Sequence, residues 1–159
     1  QPVFDLVYGK ANQFAVIFSI LGIPMAIAFF ASNRFISMFG AKRVAIFSVG
    51  FSVLINTTSL LLAITSNGSP NFWIWLLLVG SSNIFLSLLT PIGLSLALEP
   101  MGDLAGTASG VAGAVSLGGA GLLAAIFSTQ IKYSVTPLAL GYLLYSTISF
   151  FLIYSKKNT

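Results

Sequence analysis

Four stretches without a charged residue make up most of this 159-residue chain. They cover residues 11–33, 44–98, 104–131 and 133–155. A membrane-spanning helix needs about 20 apolar residues, because each residue rises about 1.5 Å through a hydrocarbon core about 30 Å thick. Three of the stretches therefore hold one span each, whereas the stretch 44–98 is long enough for two.

The break inside the longest stretch lies at "TSNGSPN", residues 65–71, where Asn-Gly and Ser-Pro pairs signal turns. A membrane β-barrel is disfavoured, since its strands would alternate polar and apolar residues and segments such as "FWIWLLLVG" do not. The sequence thus predicts an all-α, polytopic membrane helix bundle. Its five transmembrane helices are expected at residues 12–32, 44–65, 72–98, 105–128 and 135–154.

Composition excludes several classes of function. Charged residues make up 6% of the chain, against about 25% in a soluble domain. Cysteine and histidine are absent, which removes thiolate ligands and the commonest metal ligand and general base. The three acids, Asp5, Glu99 and Asp103, all lie near span ends. We therefore expect no enzymatic activity, metal site or cofactor. The net charge of +4 comes without a basic stripe, so nucleic acid is not an expected partner.

The basic residues predict an orientation in the lipid bilayer, because cytoplasmic loops are enriched in Lys and Arg. A predicted loop at residues 34–43 carries three of the seven basic residues, and placing it inside puts the C-terminus inside too. Five basic residues are then cytoplasmic and two are external. The cytoplasmic set is Arg34, Lys42, Arg43, Lys156 and Lys157; the external set is Lys10 and Lys132.

Five spans with a cytoplasmic C-terminus place the N-terminus outside. Residue 1 is Gln, and no signal peptide precedes the first span. Residues 1–159 are therefore expected to be the C-terminal part of a longer membrane protein. The alternative is a complete five-span protein in the opposite orientation.

The segment "NRFISMFGAKR", residues 33–43, has a spacing of its own beyond a generic basic loop. Its features are Asn33 and Arg34 at a helix end, a turn at Gly40, and the basic pair Lys42 and Arg43. This pattern resembles the cytoplasmic motif of the major facilitator superfamily between its eighth and ninth helices.

A second segment, residues 90–121, resembles the junction of the tenth and eleventh helices in Bcr/CflA-type drug-resistance transporters. There a small-residue run ends in Pro, a short loop follows, and Ala-Gly-Thr-Ala-Ser, here residues 105–109, opens the next helix. The resemblance covers nearly the whole chain, as helices eight to twelve. It implies alternating-access export of small amphipathic drugs or metabolites across a bacterial inner membrane, by proton-coupled antiport, together with an N-terminal transporter half. The alternative is a non-transporting membrane scaffold or subunit.

A polar stripe in the third span is the candidate wall of a substrate cavity. Asn83, Ser87 and Thr90 follow Gly80 at helical spacing, and Pro91 adds a kink or gating bend. An Asn in a membrane helix should face protein or water, since an unsatisfied amide in hydrocarbon costs several kcal/mol. Interhelical hydrogen bonding would explain the stripe equally well.

The fourth span carries a small-residue face with a four-residue period. Small residues let helix backbones approach closely in lipid, so this face is predicted to pack against another helix. Its members are Gly102, Gly106, Gly110, Ala114 and Gly118.

Two acids lie on the same side of the membrane as the basic loop. Glu99 and Asp103 are candidates for pairing with Arg34, Lys42 or Arg43, which would hold one conformation shut. Solvated loop charges are the alternative.

Overall fold

The computed structural model describes residues 2–130 and 134–155, and within these ranges the side chains of Leu96, Ala97, Glu99 and residues 128–130 are not described. The described residues contain five helices that are long and apolar enough to cross a membrane, and no strand. The predicted all-α polytopic membrane bundle is confirmed, and five such helices fit an integral, multi-pass membrane protein. Lys132, Lys156 and Lys157, used for the orientation, lie outside the described residues.

The helices coincide with the predicted spans to within a few residues, except at the end of the first. Their bounds are α1 Phe14–Phe39, α2 Ala41–Thr65, α3 Phe72–Leu98, α4 Ala105–Gln130 and α5 Thr136–Ser155. α2 lies at the centre and packs along both α3 and α5, while α1 packs mainly on α3.

The prediction of a loop at residues 34–43 is wrong. α1 continues to Phe39 and α2 begins at Ala41, so Gly40 alone separates them. Its φ of +82° is a conformation that favours glycine. The run "FISMF" before it contains no helix breaker, and the helix therefore extends past Arg34 until glycine ends it.

One end of the bundle, which we call the aromatic end, is formed by the connection 66–71, residues 3–10 and the start of α5. The Asn71 side chain caps α3 by accepting the Trp73 N–H at 3.0 Å. Gly68 adopts a φ of +85°, and its carbonyl accepts the Val135 N–H at 2.9 Å. This hydrogen bond ties the α2–α3 connection to the beginning of α5.

A dense cluster of apolar side chains fills the aromatic end. The rings of Phe4 and Phe72 meet edge to face with centroids 5.4 Å apart, and those of Tyr8 and Trp75 are 5.5 Å apart. The Lys10 ammonium lies 5.4 Å from the Phe72 centroid. The buried members are Val3, Phe4, Ile17, Ala63, Phe72, Trp75, Leu76, Val135 and Ala139.

The opposite end, which we call the basic end, carries the Gly40 turn and the connection between α3 and α4. That connection is a 3-10 segment, Glu99–Leu104, in which Gly102 has a φ of +47°.

α4 is the most exposed helix, with no described residue buried between 105 and 127. It approaches α5 where Phe127 lies against Gly141, since a Cβ on this glycine would be 3.0 Å from the ring.

Candidate functional site

A cavity of about 1200 Å³ lies between α2, α3, α4 and α5 in the basic half of the bundle. Its lining comes from residues 41–56 of α2, 82–94 of α3, 109–116 of α4 and 142–153 of α5. Drug-sized ligands occupy pockets of roughly 300–1000 Å³. The space is therefore sufficient for a small organic molecule.

A polar cluster closes the deep end of this cavity. The Asn56 amide on α2 donates to the Tyr142 carbonyl and to the Ser146 hydroxyl, both on α5 and both at 3.2 Å. The Asn83 amide on α3 donates to the Tyr142 hydroxyl at 3.4 Å. Three helices are thus joined by side-chain hydrogen bonds, and Asn56 has the interhelical role expected for an amide in a membrane helix.

Most of the wall is chemically apolar although many of its residues are polar. Hydroxyls return their hydrogen bonds to their own helix: Thr90 donates to the Leu86 carbonyl at 3.2 Å and Ser109 to the Gly106 carbonyl at 2.8 Å. Ser146 likewise donates to the Tyr142 carbonyl at 2.9 Å. These three hydroxyls have used their single donor within their own helix, so they can only accept a hydrogen bond from a ligand.

Ser52 is a lining residue whose hydroxyl oxygen is itself buried. Its side chain is only 5% exposed, and its Oγ has no hydrogen-bond partner among the described residues. A buried hydroxyl without a partner costs free energy. Because Ser52 is a lining residue, we expect a water or a ligand group in the cavity to be its partner.

The charged group of the described cavity lining lies at the rim. Lys42, at the first turn of α2, is the only charged residue among the described residues that line the cavity. It is exposed, as are Gly93 and Leu94 of α3 at the same level. The cavity therefore reaches the basic end of the bundle.

The predicted stripe on α3 meets the cavity only in part. Thr90 lines it, and Asn83 reaches its deep end through Tyr142. Ser87 donates to the Asn83 carbonyl at 2.9 Å, and Pro91 lies within the continuous α3; neither is among the lining residues. The lining face of α3 is a neighbouring row: Ser82, Leu86, Leu89, Thr90 and Gly93.

The packing of α1 explains why α3 turns this neighbouring row, rather than the predicted stripe, towards the cavity. Gly80, in line with the predicted stripe, faces α1 so closely that a Cβ there would lie 2.9 Å from Leu21. Asn56 of α2 is expected from the sequence to be a packing amide, but the polar rows that line the cavity on α2 and α5 are not predicted. Ser52 and Asn56, and then Tyr142, Ser146 and Ser149, recur at intervals of three and four residues, and this pattern is visible in the sequence.

The residues of the basic motif all lie at the basic end. Asn33 and Arg34 are exposed in the last turns of α1, Gly40 forms the turn, and Lys42 and Arg43 are exposed at the start of α2. Asp103 is exposed in the 3-10 segment. Within the described side chains it forms no ion pair with these basic residues. The side chain of Glu99 lies outside the described residues, so pairing by the two acids stays a prediction.

The small-residue face of α4 has no packing partner in the described part of the chain. Of its five predicted members, Gly102 lies in the 3-10 segment before α4, and the other four lie on α4: Gly106, Gly110, Ala114 and Gly118. All five are exposed. A Cβ built on any of the four glycines meets no atom within 4 Å. α4 turns a different face to the cavity, formed by Ser109, Ala112, Gly113 and Ser116. The predicted packing is therefore not made within these residues.

No family model matches the chain, and no curated protein or solved structure matches it. The resemblance to major facilitator exporters consequently depends on the residues of its two motifs.

Proposed function

We propose that this chain is one helix bundle of a membrane transporter that exports small amphipathic molecules by alternating access. The observation that carries the proposal is the cavity open at one end of the bundle and closed at the other. In alternating access, two bundles rock around a site near the bilayer midplane that opens to one side at a time. The N-terminal half implied by the resemblance would supply the second bundle.

The depth of the cavity supports this reading. Its lining on α2 runs from Lys42 to Asn56, about 21 Å along the axis at about 1.5 Å per residue. If Lys42 lies at the boundary of a hydrocarbon core about 30 Å thick, that distance takes the cavity past its midplane. Beyond Asn56 the aromatic cluster fills the bundle. A molecule entering from the basic end would therefore stop near the membrane centre.

The direction of opening follows from charge. Exposed Arg34, Lys42 and Arg43 favour a cytoplasmic basic end. The cavity then faces inward, where an exporter loads its substrate. Asp103, which has no ion-pair partner among the described side chains, is in keeping with a cytoplasmic gate that is open in this state. The bacterial inner membrane and proton coupling are proposed from the resemblance alone.

Cysteine labelling tests the proposal, because the chain has no native cysteine. Ser149→Cys places a thiol in the cavity, and Ile148→Cys places one on the adjacent, 58% exposed outer face of the same helix. In the full-length protein in proteoliposomes, a water-soluble maleimide should label the Ser149→Cys variant but not the Ile148→Cys variant. Labelling should come from the cytoplasmic side, and substrate should slow it.

Failure of the Ser149→Cys variant to label from either side would mean that the cavity is not a water-accessible pathway, and the transport proposal would fall. Labelling of the Ile148→Cys variant at the same rate would show that the reagent enters through lipid, which would equally remove the support for an aqueous pathway. Tags at the two termini provide an independent measurement of orientation: both ends in the cytosol would contradict the five-span topology proposed here.

The scaffold alternative retains one specific observation in its favour, the bare small-residue face of α4. A scaffold would depend on that face and not on the cavity. Gly110→Leu would then abolish assembly with the partner, whereas Ser149→Trp, which fills the cavity, would leave function intact. If the chain is a transporter, Ser149→Trp should instead abolish its function, because the indole fills the cavity.

A further inference from the structure

The charge distribution around the cavity has a single sign in its described lining. Lys42 brings a positive charge to the rim, and no carboxylate is found among the described lining residues. Arg34 and Arg43 are exposed at the same end. Asp103 lies on the connection between α3 and α4 and is not among the lining residues, and Glu99 has no described side chain.

The deep part of the cavity offers a different kind of contact. Ser52 lines the cavity and is only 5% exposed, and its buried hydroxyl has no partner in the described part of the protein. It lies about 15 Å from Lys42 along α2, at about 1.5 Å per residue. Between the two, the wall of α2 is formed by Ala45 and Val49, and both are buried and apolar.

The opposite walls continue this apolar zone. Leu86 and Leu89 face it from α3, and Leu152 and Ile153 face it from α5. From rim to floor the described lining therefore offers one ammonium group, mainly aliphatic walls that also carry hydroxyls such as those of Thr90 and Ser149, and the buried hydroxyl of Ser52. This order matches an elongated amphiphile that carries its charge at one end.

We propose that the transported molecule is an organic anion, with a carboxylate, sulfonate or phosphate at Lys42, an apolar body along α2, and a polar atom that hydrogen-bonds to Ser52. The inference depends on the transport function proposed above and narrows its substrate class. An anion leaving water needs a partner of opposite charge, which the Lys42 ammonium provides through charge-assisted hydrogen bonds. A cation of the same shape would meet a like charge at the rim and no counter-charge in the described lining.

Binding of three matched probes to the full-length protein in nanodiscs tests this inference. Each probe has the same hydroxynaphthyl body, whose hydroxyl can bond to Ser52, and the same alkyl spacer. The probes differ only in the end group at the other end: carboxylate, carboxamide or trimethylammonium. Empty nanodiscs of identical lipid give the background partitioning to subtract. The carboxylate should bind at least about tenfold more tightly than the trimethylammonium probe.

Substitutions distinguish the effect of Lys42 on probe preference from that of the general positive charge at the basic end. Lys42→Gln should bring the carboxylate-to-cation ratio close to one, whereas Lys42→Arg should retain most of it. Arg43→Gln is the matched control, because it removes a positive charge at the neighbouring residue, whose side chain is outside the lining. This variant should leave the ratio unchanged. Ser52→Ala should weaken all three probes by a similar factor and leave the ratio as it is.

The outcomes distinguish this inference from the function on which it depends. If the neutral or cationic probe binds as tightly as the carboxylate, or if Lys42→Gln leaves the preference intact, the anion assignment is wrong and transport can stand. If no probe binds above empty nanodiscs, both proposals fall.

A lipid and a soluble metabolite could both supply such an anion. Nanodiscs of zwitterionic lipid are therefore compared with discs that contain anionic lipid. Competition between anionic lipid and the carboxylate probe would assign the cavity to a lipid headgroup. Unchanged probe affinity would assign it to a soluble organic anion.

Discussion

The two halves of this bundle share α2, α3 and α5 but are filled in different ways. At the aromatic end, Phe4, Phe72 and Trp75 occupy the space between the helices, and Trp75 is only 3% exposed. At the basic end, the described lining combines small and hydroxylated residues with aliphatic ones, and a cavity of about 1200 Å³ remains. The aromatic side chains, rather than helix arrangement alone, make the other half solid.

The difference shows how one set of helices can provide both a support and a site. Lipid gives no hydrophobic drive for helices to associate, so stability must come from packing and interhelical hydrogen bonds. The aromatic half supplies most of the packing. The basic half is therefore free to keep an unfilled space, at the cost of the contacts that a filled core would make.

Among the tests of this contrast, Trp75→Ala should have the largest effect on the free energy of unfolding. Removing a buried indole from the aromatic cluster should lower the free energy of unfolding by about 3–5 kcal/mol, through lost contacts and the space left behind. Trp73→Ala is the matched control, since Trp73 is 59% exposed and should change it little. Denaturation in mixed micelles measures both. Equal losses would mean that the aromatic half is not the solid one.

Gly68→Ala should have the next largest effect, a loss of about 2 kcal/mol or more, because a Cβ at its φ of +85° is strained. That Cβ would also lie 2.6 Å from the Ser134 Cβ at the start of α5. Gly22→Ala in α1, with no atom within 4 Å of the added Cβ, should instead stabilise the protein by up to about 1 kcal/mol. Denaturation in the same micelles compares the two. Similar behaviour of the two variants would contradict the close contact between the α2–α3 connection and α5.

Asn56→Ala and Ser52→Ala compare a bonded and an unbonded polar group at the deep end of the cavity, again by the free energy of unfolding. Loss of the Asn56 hydrogen bonds to α5 should cost about 1 kcal/mol, within the range measured for polar contacts in membrane helices. Ser52→Ala should change the free energy of unfolding by less than about 0.5 kcal/mol, because its hydroxyl bonds to no described group. A larger cost at Ser52 would reveal a protein partner.

The smallest effect expected near neutral pH is that of Tyr8. Burial raises the pKa of its phenol from 10.0 to about 12. The folded state thus favours the neutral phenol. The contribution of Tyr8 to the free energy of unfolding is fully present below pH 10 and is lost as the pH rises towards 12. Tyr8→Phe should remove this alkaline dependence of the free energy of unfolding. If unfolding of the Phe variant keeps the same pH dependence above 10, another group is responsible.

Sequence reasoning located the five helices because the length of an uncharged stretch is tied to the thickness of hydrocarbon. It failed at residues 34–39, where no local signal ends α1 before Gly40. Charge marks the region where the chain leaves the lipid, and a helix can continue beyond that point.

Rotation of the helices was harder to predict than their positions. Periodicity on α3 identified a polar face, but whether this face meets the cavity depends on where α1 packs. The contact between Gly80 and Leu21 directs part of the stripe towards α1, and Thr90 alone of the four predicted residues lines the cavity. Such contacts between distant segments are not encoded in the period of any single helix.

The arrangement of the two tryptophans has a spectroscopic consequence. Both indoles of this chain lie in the aromatic half, one buried and one at the outer surface, and the described cavity lining contains neither. Brominated lipids should therefore quench the emission of Trp73 and spare that of Trp75. A compound that enters the cavity has no nearby indole to perturb, so any change it produces in tryptophan emission would report movement transmitted through the helices to the far side of the bundle.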